Sequence, residues 1–559
     1  MKNNVADNSV TLPYRKRFSS LKAVANDGWL AHWEQLRTYF APRLGRYLVA
    51  SGADDDNKGY RKDGKIVNGT PIVARRNLSS GLLGNLTSPT AKWFRLAVKD
   101  DDLMDSPDVS QYLYDVREVI LKAFAISNFY GTIHSNYDEL STFGTSCMLI
   151  EEDFDTIIRC RPFTIGEYYL GTNSKLIPDT LYRRYSMSVG SLVDEYGIEN
   201  VTSVTKKLYD NEQFDVLVMV ISCIQPRRGG KDAVVSDRYA YESVTFEEGN
   251  DESKFLRVKG YQEKPFMASR WNTVSGDVYG ESPCMDALGD AMQLQKEETI
   301  KLKILSKMAD PPLNAPPSMK DRVIDQRSGA VTYVDSTEPG SQGVRPVYET
   351  NISTQPMAED IYKVEERIKK TLYNDLFMSV LDTTKRMTAT EVESRREEKL
   401  ALLSPAVNRM QSEVLEVAIE RTFAICERMG LLPKTPEVLR ENSIEIQYVS
   451  SLAQAQQAVE TQSMEQVARF AGELAGAFPD VLDRLNSDEL IEIYAEKYGI
   501  EPILIRSDSE VEKIRMERQQ AMQAQQQQAQ MAQTADTAKT MSDTDVGGNN
   551  ALEELLSVM

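Results

Sequence analysis

Hydrophobic and polar positions along this chain change period twice. In the first quarter, Leu30, Trp33, Leu36, Tyr39 and Phe40 recur at helical spacing, and Val73–Leu86 and Val109–Phe129 read as helices too. Between them, Ser51–Tyr60 is polar and Gly-containing with no core positions, which predicts a surface loop. Near Thr145 the period shortens. Cys147–Ile150, Ile157–Cys160, Tyr168–Leu170, Leu181–Tyr185, Val216–Ile221 and Phe255–Val258 are short β-type runs divided by turn residues such as Gly171-Thr-Asn173 and Arg228-Gly-Gly230. From Glu281 the period lengthens again.

Glu281–Met308 predicts a helix with Leu288, Ala291, Leu302 and Leu305 near heptad spacing and polar Gln295 and Glu298 in the seam. Asp310-Pro-Pro312 ends it, because proline cannot continue the hydrogen-bond ladder. The following 45 or so residues are rich in Pro, Gly, Ser and Asp, with one β-type run at Ala330–Val334. They predict a small compact insertion or an ordered loop. A second helix, Met357–Met378, carries Met357, Ile361, Val364, Ile368, Leu372 and Leu376 on one face. Ser379–Arg386 breaks the pattern.

A third, very long helix begins near Thr390, where Thr390 and Glu393 fit a capping box, and its stripe runs from Leu403 to Ile425. Ser404-Pro405 predicts a kink, and Gly430 and Pro433 a stop. Ile444–Val449 alternates as one strand. Ala453–Ala477 and Asp488–Tyr498 read as short bundle helices, and Ser507–Gln530 as a Gln/Ala/Met-rich helix. The composition of Thr534–Asn550 suits disorder. The fold class is therefore α+β and mainly helical.

Composition narrows the function classes. Hydrophobic residues make up 41% and charged residues 27% of 559, as in a globular protein of three or four compact units. With 65 Lys+Arg against 84 Asp+Glu the net charge is -19. A protein that grips nucleic acid carries the opposite sign, so any relation to DNA is passage without adhesion. Five widely spaced cysteines without a C-x-x-C pair argue against a disulfide framework and a zinc site. The longest apolar stretch, Val216–Ile224, is far short of the ~20 residues of a membrane span. The polar N-terminus has no apolar signal core.

No chemical motif survives inspection. Gly59–Ile66 nearly matches a phosphate loop, but Ile66 stands where a hydroxyl would hold Mg²⁺, and a charged loop accounts for it. The two histidines, His32 and His134, have no second ligand at motif spacing. Acidic pairs such as Glu151-Glu152 and Glu247-Glu248 fit solvated faces and turns. No catalytic residue, metal or cofactor is expected. Lys385-Arg386 differs: two adjacent cations in a short linker between helices can present positive charge to a polyanion, although an ordinary basic loop tip also explains them.

Several stretches resemble portal (head-to-tail connector) proteins of short-tailed bacteriophages. These are Arg75–Leu83, Asn128-Phe-Tyr130, Phe143–Cys147, Pro265-Phe266 with Arg270-Trp271, Val278–Pro283 and Met387–Glu391, in this order over about Lys16–Ser507. The resemblance implies a portal fold with wing, stem, clip and crown regions, assembled as a ring oligomer, usually of twelve copies. It divides the chain into a wing (1–280), a first stem helix (281–309), a clip (310–355), a second stem helix (356–378) and a tunnel loop (379–388). A kinked wing helix with a return strand (389–450), a crown (451–506), a C-terminal Gln-rich helix or barrel (507–533) and a disordered tail (534–559) complete it.

The same resemblance implies a DNA-facing tunnel loop at Thr383, Thr384, Lys385 and Arg386, and a channel lining at Lys369 and Lys370. Ile361, Val364, Ile368 and Leu372, too long a stripe for one hairpin to cover, are expected at the subunit interface. The implied partners are double-stranded DNA in transit, the terminase, a tail adaptor, and the major capsid and scaffolding proteins, with no membrane. The implied place is the capsid vertex of the virion, after assembly in the host cytoplasm. Another virion structural protein, an adaptor or scaffold, and a nucleotide-dependent DNA-processing enzyme are the competing readings.

Overall fold

The computed structural model describes residues 10–45, 48, 64–98, 106–229, 234–249, 254–315, 345–346, 353–378, 403–439, 444–448, 467, 469–473, 490, 508–543, 545–546 and 549–550. The chain divides into two compact units. One comprises residues 1–96, 115–434 and 446–455, the other 97–114, 435–445 and 456–559.

The first unit opens with helices α1 (Leu12–Gly28), α2 (Leu30–Phe40) and α3 (Thr70–Leu86). After β1 (Phe94–Val98) come α4 (Pro107–Ile126) and α5 (Phe129–Phe143). Two antiparallel sheets follow. Strands β2 (Thr145–Asp153), β3 (Ile157–Phe163) and β9 (Phe266–Arg270) form a three-stranded sheet in the order β3-β2-β9. Strands β4 (Tyr168–Thr172), β5 (Pro178–Ser188), β6 (Leu217–Pro226), β7 (Tyr241–Glu247) and β8 (Arg257–Tyr261) form the other, in chain order. Small helices α6 (Val189–Tyr196) and α7 (Ser203–Asp210) sit between β5 and β6 in sequence.

The continuous apolar run Cys147–Ile150 lies in the central strand β2, buried on both faces. Strand β7 is polar in sequence yet almost wholly buried. Its carboxylates are satisfied: Glu242 accepts from Tyr14 (2.9 Å) and Gln225 (2.7 Å), and Glu247 from the Thr202 amide and hydroxyl (2.8 and 2.7 Å) and the Thr205 hydroxyl (2.5 Å). Tyr14 and Phe18 thus fix α1 on the larger sheet, with Phe18 edge-on to Tyr169. Trp93, Phe94, Phe124 and Phe129 stack into a second aromatic cluster.

The helical third begins with α8 (Pro283–Asp286) and α9 (Leu288–Ala309), ending at Asp310 as the following prolines require. Strands β10 (Leu313–Asn314) and β11 (Arg345–Pro346) pair antiparallel, drawing together the two ends of the Pro-rich insertion. Most of that insertion, 316–344 and 347–352, lies outside the described residues.

The second expected stem helix is not continuous. Helix α10 (Gln355–Thr371) ends at Leu372, Tyr373 takes φ 56, and a short α11 (Asn374–Met378) follows. Leu372 and Leu376, on either side of this turn, are both buried.

The long helix is described from 403. The kink expected at Ser404-Pro405 falls at the edge of the described residues; within them the irregularity is a π segment at Gln411–Leu415 ahead of α12 (Glu416–Arg428). Strand β12 spans Ile444–Tyr448. Nearly all of the expected crown falls outside the described residues.

In the second unit, Tyr112 and Thr435 share a hydrogen bond of 3.1 Å, and α13 (Asp508–Asp543) is a single 36-residue helix. The boundary expected at 533 is therefore corrected: Ala535, Ala538 and Met541 are helix formers, and the first glycines come only at Gly547-Gly548.

Candidate assembly and DNA-facing site

Helices α9 and α10 pack against each other. Arg367 binds Asp290 at 2.9 Å across the pair. On α9 only the first half is covered: Leu288, Ala291, Leu294 and Gln295 are buried, while Ile300, Leu302, Leu305 and Met308 stand exposed. The polar seam residues have a definite task. Gln295 accepts from the Val67 and Asn68 amides (2.7 and 2.9 Å) and donates to the Asn68 carbonyl (2.8 Å). Asn68 in turn donates to Glu365 (2.7 Å) and Glu298 (3.3 Å). The loop ahead of α3 is thereby clamped between both helices.

Ile361, Val364, Ile368 and Leu372 are buried inside the single chain. Helix α10 covers them with α3, α8, α9 and α11. They are core residues, and their assignment to the subunit interface is corrected. The unpartnered apolar side chains lie instead on the outer half of α9, where Leu302 is 51% exposed. The heptad-like spacing on α9 already contained that signal in Leu302 and Leu305.

The cations divide. Lys369 is bound to Glu366 at 2.8 Å, which holds its ammonium above the ordinary lysine range. Lys370 is exposed, and no ion pair joins it to another of the described residues. It lines a groove of about 960 Å³ with Lys363, Tyr362, Val73, Ala74 and Asn374. Thr383, Thr384, Lys385 and Arg386 lie outside the described residues, as does Met387–Glu391.

The other recurring stretches form joints. Gly144 caps α5 at φ 73 and lies against Gly280, where a methyl group on either would overlap the other's carbonyl oxygen. Around this contact Gly280 N donates to Thr145 (2.8 Å), Trp271 N to the Gly144 carbonyl (2.9 Å) and the Ser282 hydroxyl to the Thr142 carbonyl (2.8 Å). Phe143–Cys147 and Val278–Pro283 therefore meet in space. Arg75 pairs with Asp138 at 2.7 Å, and Ser79 donates to the same carboxylate (3.0 Å). The Asn128 amide brackets Cys160, donating to its carbonyl (2.8 Å) and accepting from its N–H (2.9 Å). Arg270 grips Glu413 in the π segment through Nη2 (2.6 Å) and its own backbone N–H (2.9 Å).

Glu139 is fully buried, accepting from the Thr164 hydroxyl (2.6 Å) and the Ile165 amide (3.2 Å). Burial outweighs both hydrogen bonds and pushes its carboxyl up to about 8.

All five cysteines are buried free thiols, raised in pKa by burial. Among the described residues no group of His, Cys, Asp and Glu could hold a metal ion. No described helix is long and apolar enough to cross a membrane.

The site thus combines a clamped helix pair, an exposed apolar half-helix and a close-packed glycine joint. The chain belongs to the bacteriophage head to tail connecting protein family, whose model matches residues 13–505. It is 37% identical over 494 residues to the probable portal protein of Bordetella phage BPP-1, covering 88% of each chain. It is 37% identical over 527 residues to the portal protein of Salmonella phage epsilon15, covering 93% of this chain and 94% of that one. Among solved structures, a chain of the native gene transfer agent virion aligns at TM-score 0.38 and 9% identity, over 82% of this chain and 92% of that one. A chain of the neck of the empty gene transfer agent particle aligns at TM-score 0.38 and 10% identity, over 80% and 98%.

Proposed function

We propose that this chain is a portal subunit. Copies of it close into a ring, of twelve on the family pattern, at one vertex of the capsid. Double-stranded DNA is packaged and later ejected through the ring, which docks the terminase motor and then the tail adaptor and sits among the major capsid and scaffolding proteins. Assembly takes place in the host cytoplasm. The subunit performs no chemistry itself; the terminase supplies nucleotide hydrolysis. The observation that carries this reading is the near-full-length likeness to two phage portal proteins.

In this reading residues 1–280 with 389–450 are wing, α9 and α10 the stem, and 310–355 the clip, whose closed base is the β10–β11 pair. Residues 379–388 are the tunnel loop, 451–506 the crown, and α13 the C-terminal helix or barrel. The apolar outer half of α9 meets the neighbouring stem.

Charge is unevenly distributed in a way that suits passage. Residues 435–559 hold 22 acidic and 9 basic side chains, so 13 of the 19 net negative charges fall there. Helix α9 carries four basic and three acidic residues, and α10 four of each. A duplex bearing one negative charge per ~1.7 Å meets a near-neutral stem rather than a trap, with repulsion concentrated in the C-terminal quarter. Lys385 and Arg386 supply weak contacts suited to sliding.

The test is Lys385→Ala with Arg386→Ala in an infectious particle. Rings are expected to form normally, while packaged-genome length or DNA retention falls. Normal length and normal retention in the double variant would defeat the DNA-facing role.

A further inference from the structure

The β2–β3 turn presents an aromatic ring to solvent. Phe154 is 97% exposed between Asp153 and Asp155. The turn holding it is organised rather than loose. Asp153 accepts from the Thr156 hydroxyl (2.6 Å) and the Asp155 amide (3.4 Å), and the ladder closes at Asp153↔Ile157. Ile157 takes φ 67, a region costly for a β-branched residue. A lone exposed phenylalanine is ordinary; one held on a strained turn between two carboxylates is a shaped probe.

A matching recess exists on the same chain. The α3–α10 groove has an apolar floor of Val73, Ala74 and Tyr362, with Val73 and Tyr362 largely exposed. Lys363 and Lys370, two helical turns apart on α10, line it with no ion pair among the described residues, whereas Arg367 and Lys369 are engaged by Asp290 and Glu366. Asn374, only 6% exposed, lines the same groove with a buried Oδ1 that has no hydrogen-bond partner among the described residues. An orphaned buried acceptor is costly and calls for a donor.

We propose that Phe154 of one copy seats in the α3–α10 groove of a second copy, with Asp153 and Asp155 meeting Lys363 and Lys370 and a tip backbone N–H reaching Asn374. This contact rests on the ring reading above. Because Phe154 is bare in the single chain, its own groove is not where it docks. The contact uses two different patches, so it is head-to-tail and propagates around a ring. It also occupies Lys370 with a neighbour's carboxylate instead of DNA.

The test uses purified full-length chain carrying Phe154→Cys with Val73→Cys. The five native thiols are buried and give little background. Mild oxidation of the double variant is expected to yield a covalent ladder of multimers on a denaturing gel, and neither single variant to do so. Phe154→Ala is expected to weaken self-association about tenfold or more in sedimentation, with an unchanged circular dichroism spectrum. Lys363→Glu should weaken it likewise, and adding Asp155→Lys should restore it. A wild-type ring whose double-cysteine variant gives no ladder, and which tolerates Phe154→Ala, overturns this contact alone. Lys363 and Lys370 variants that alter DNA retention while leaving assembly intact overturn it in favour of DNA. A wild-type chain that stays monomeric overturns the contact and the ring reading together.

Discussion

Single residues here act mainly as joints. Glu139 shows the consequence for pH. Its folded-state carboxyl, near 8, lies above the ordinary 4.5, so the folded protein prefers the proton. Its contribution is fully present below pH 4.5 and is lost as pH rises through 8. Glu139→Gln mimics the protonated form, donating to Thr164 and accepting from Ile165. The variant should show a flatter dependence of melting temperature on pH between 5 and 9, and should melt above wild type at pH 9. Parallel melting curves for the two proteins would refute this. Gly144 is the complementary case. Gly144→Ala adds an unfavourable φ to an overlap with the Gly280 carbonyl oxygen. A loss of about 3 kcal/mol or more is expected, read as a shifted denaturant midpoint.

At the scale of elements, the face of a helix decides between folding and assembly. Leu302→Asp with Leu305→Asp should leave a folded chain that no longer assembles, because both side chains are exposed in the single chain. Val364→Asp should instead prevent folding, because it buries an unpaired charge in the core between α9, α10 and α3. Circular dichroism and sedimentation together separate the two outcomes. The sequence made the apolar stripe on α10 legible but not its partner: a single period cannot say whether its cover comes from the same chain or another.

Continuous apolar runs such as Cys147–Ile150 were legible as strands. Strand β7 was not, because its buried glutamates read as solvent-facing until Tyr14, Gln225, Thr202 and Thr205 close on them. The break at Tyr373 carried no Gly or Pro to announce it. The recurring Gly144 and Gly280 stretches were legible as a family pattern, yet 136 positions separate residues that touch only in the fold.

At the scale of the whole molecule, an acidic chain, a near-neutral helix pair and an unpartnered apolar face fit one purpose: identical copies enclosing a path for a polyanion without holding it. Salt dependence follows. On the proposed reading the path repels more than it binds, so raising ionic strength should change DNA retention far less than for a protein that grips phosphates through many cations. The most direct measurement is electron microscopy of the purified full-length protein. The account predicts closed rings with a central hole of duplex width. Monomers or compact closed particles without a hole, at concentrations where the protein is folded, would contradict it.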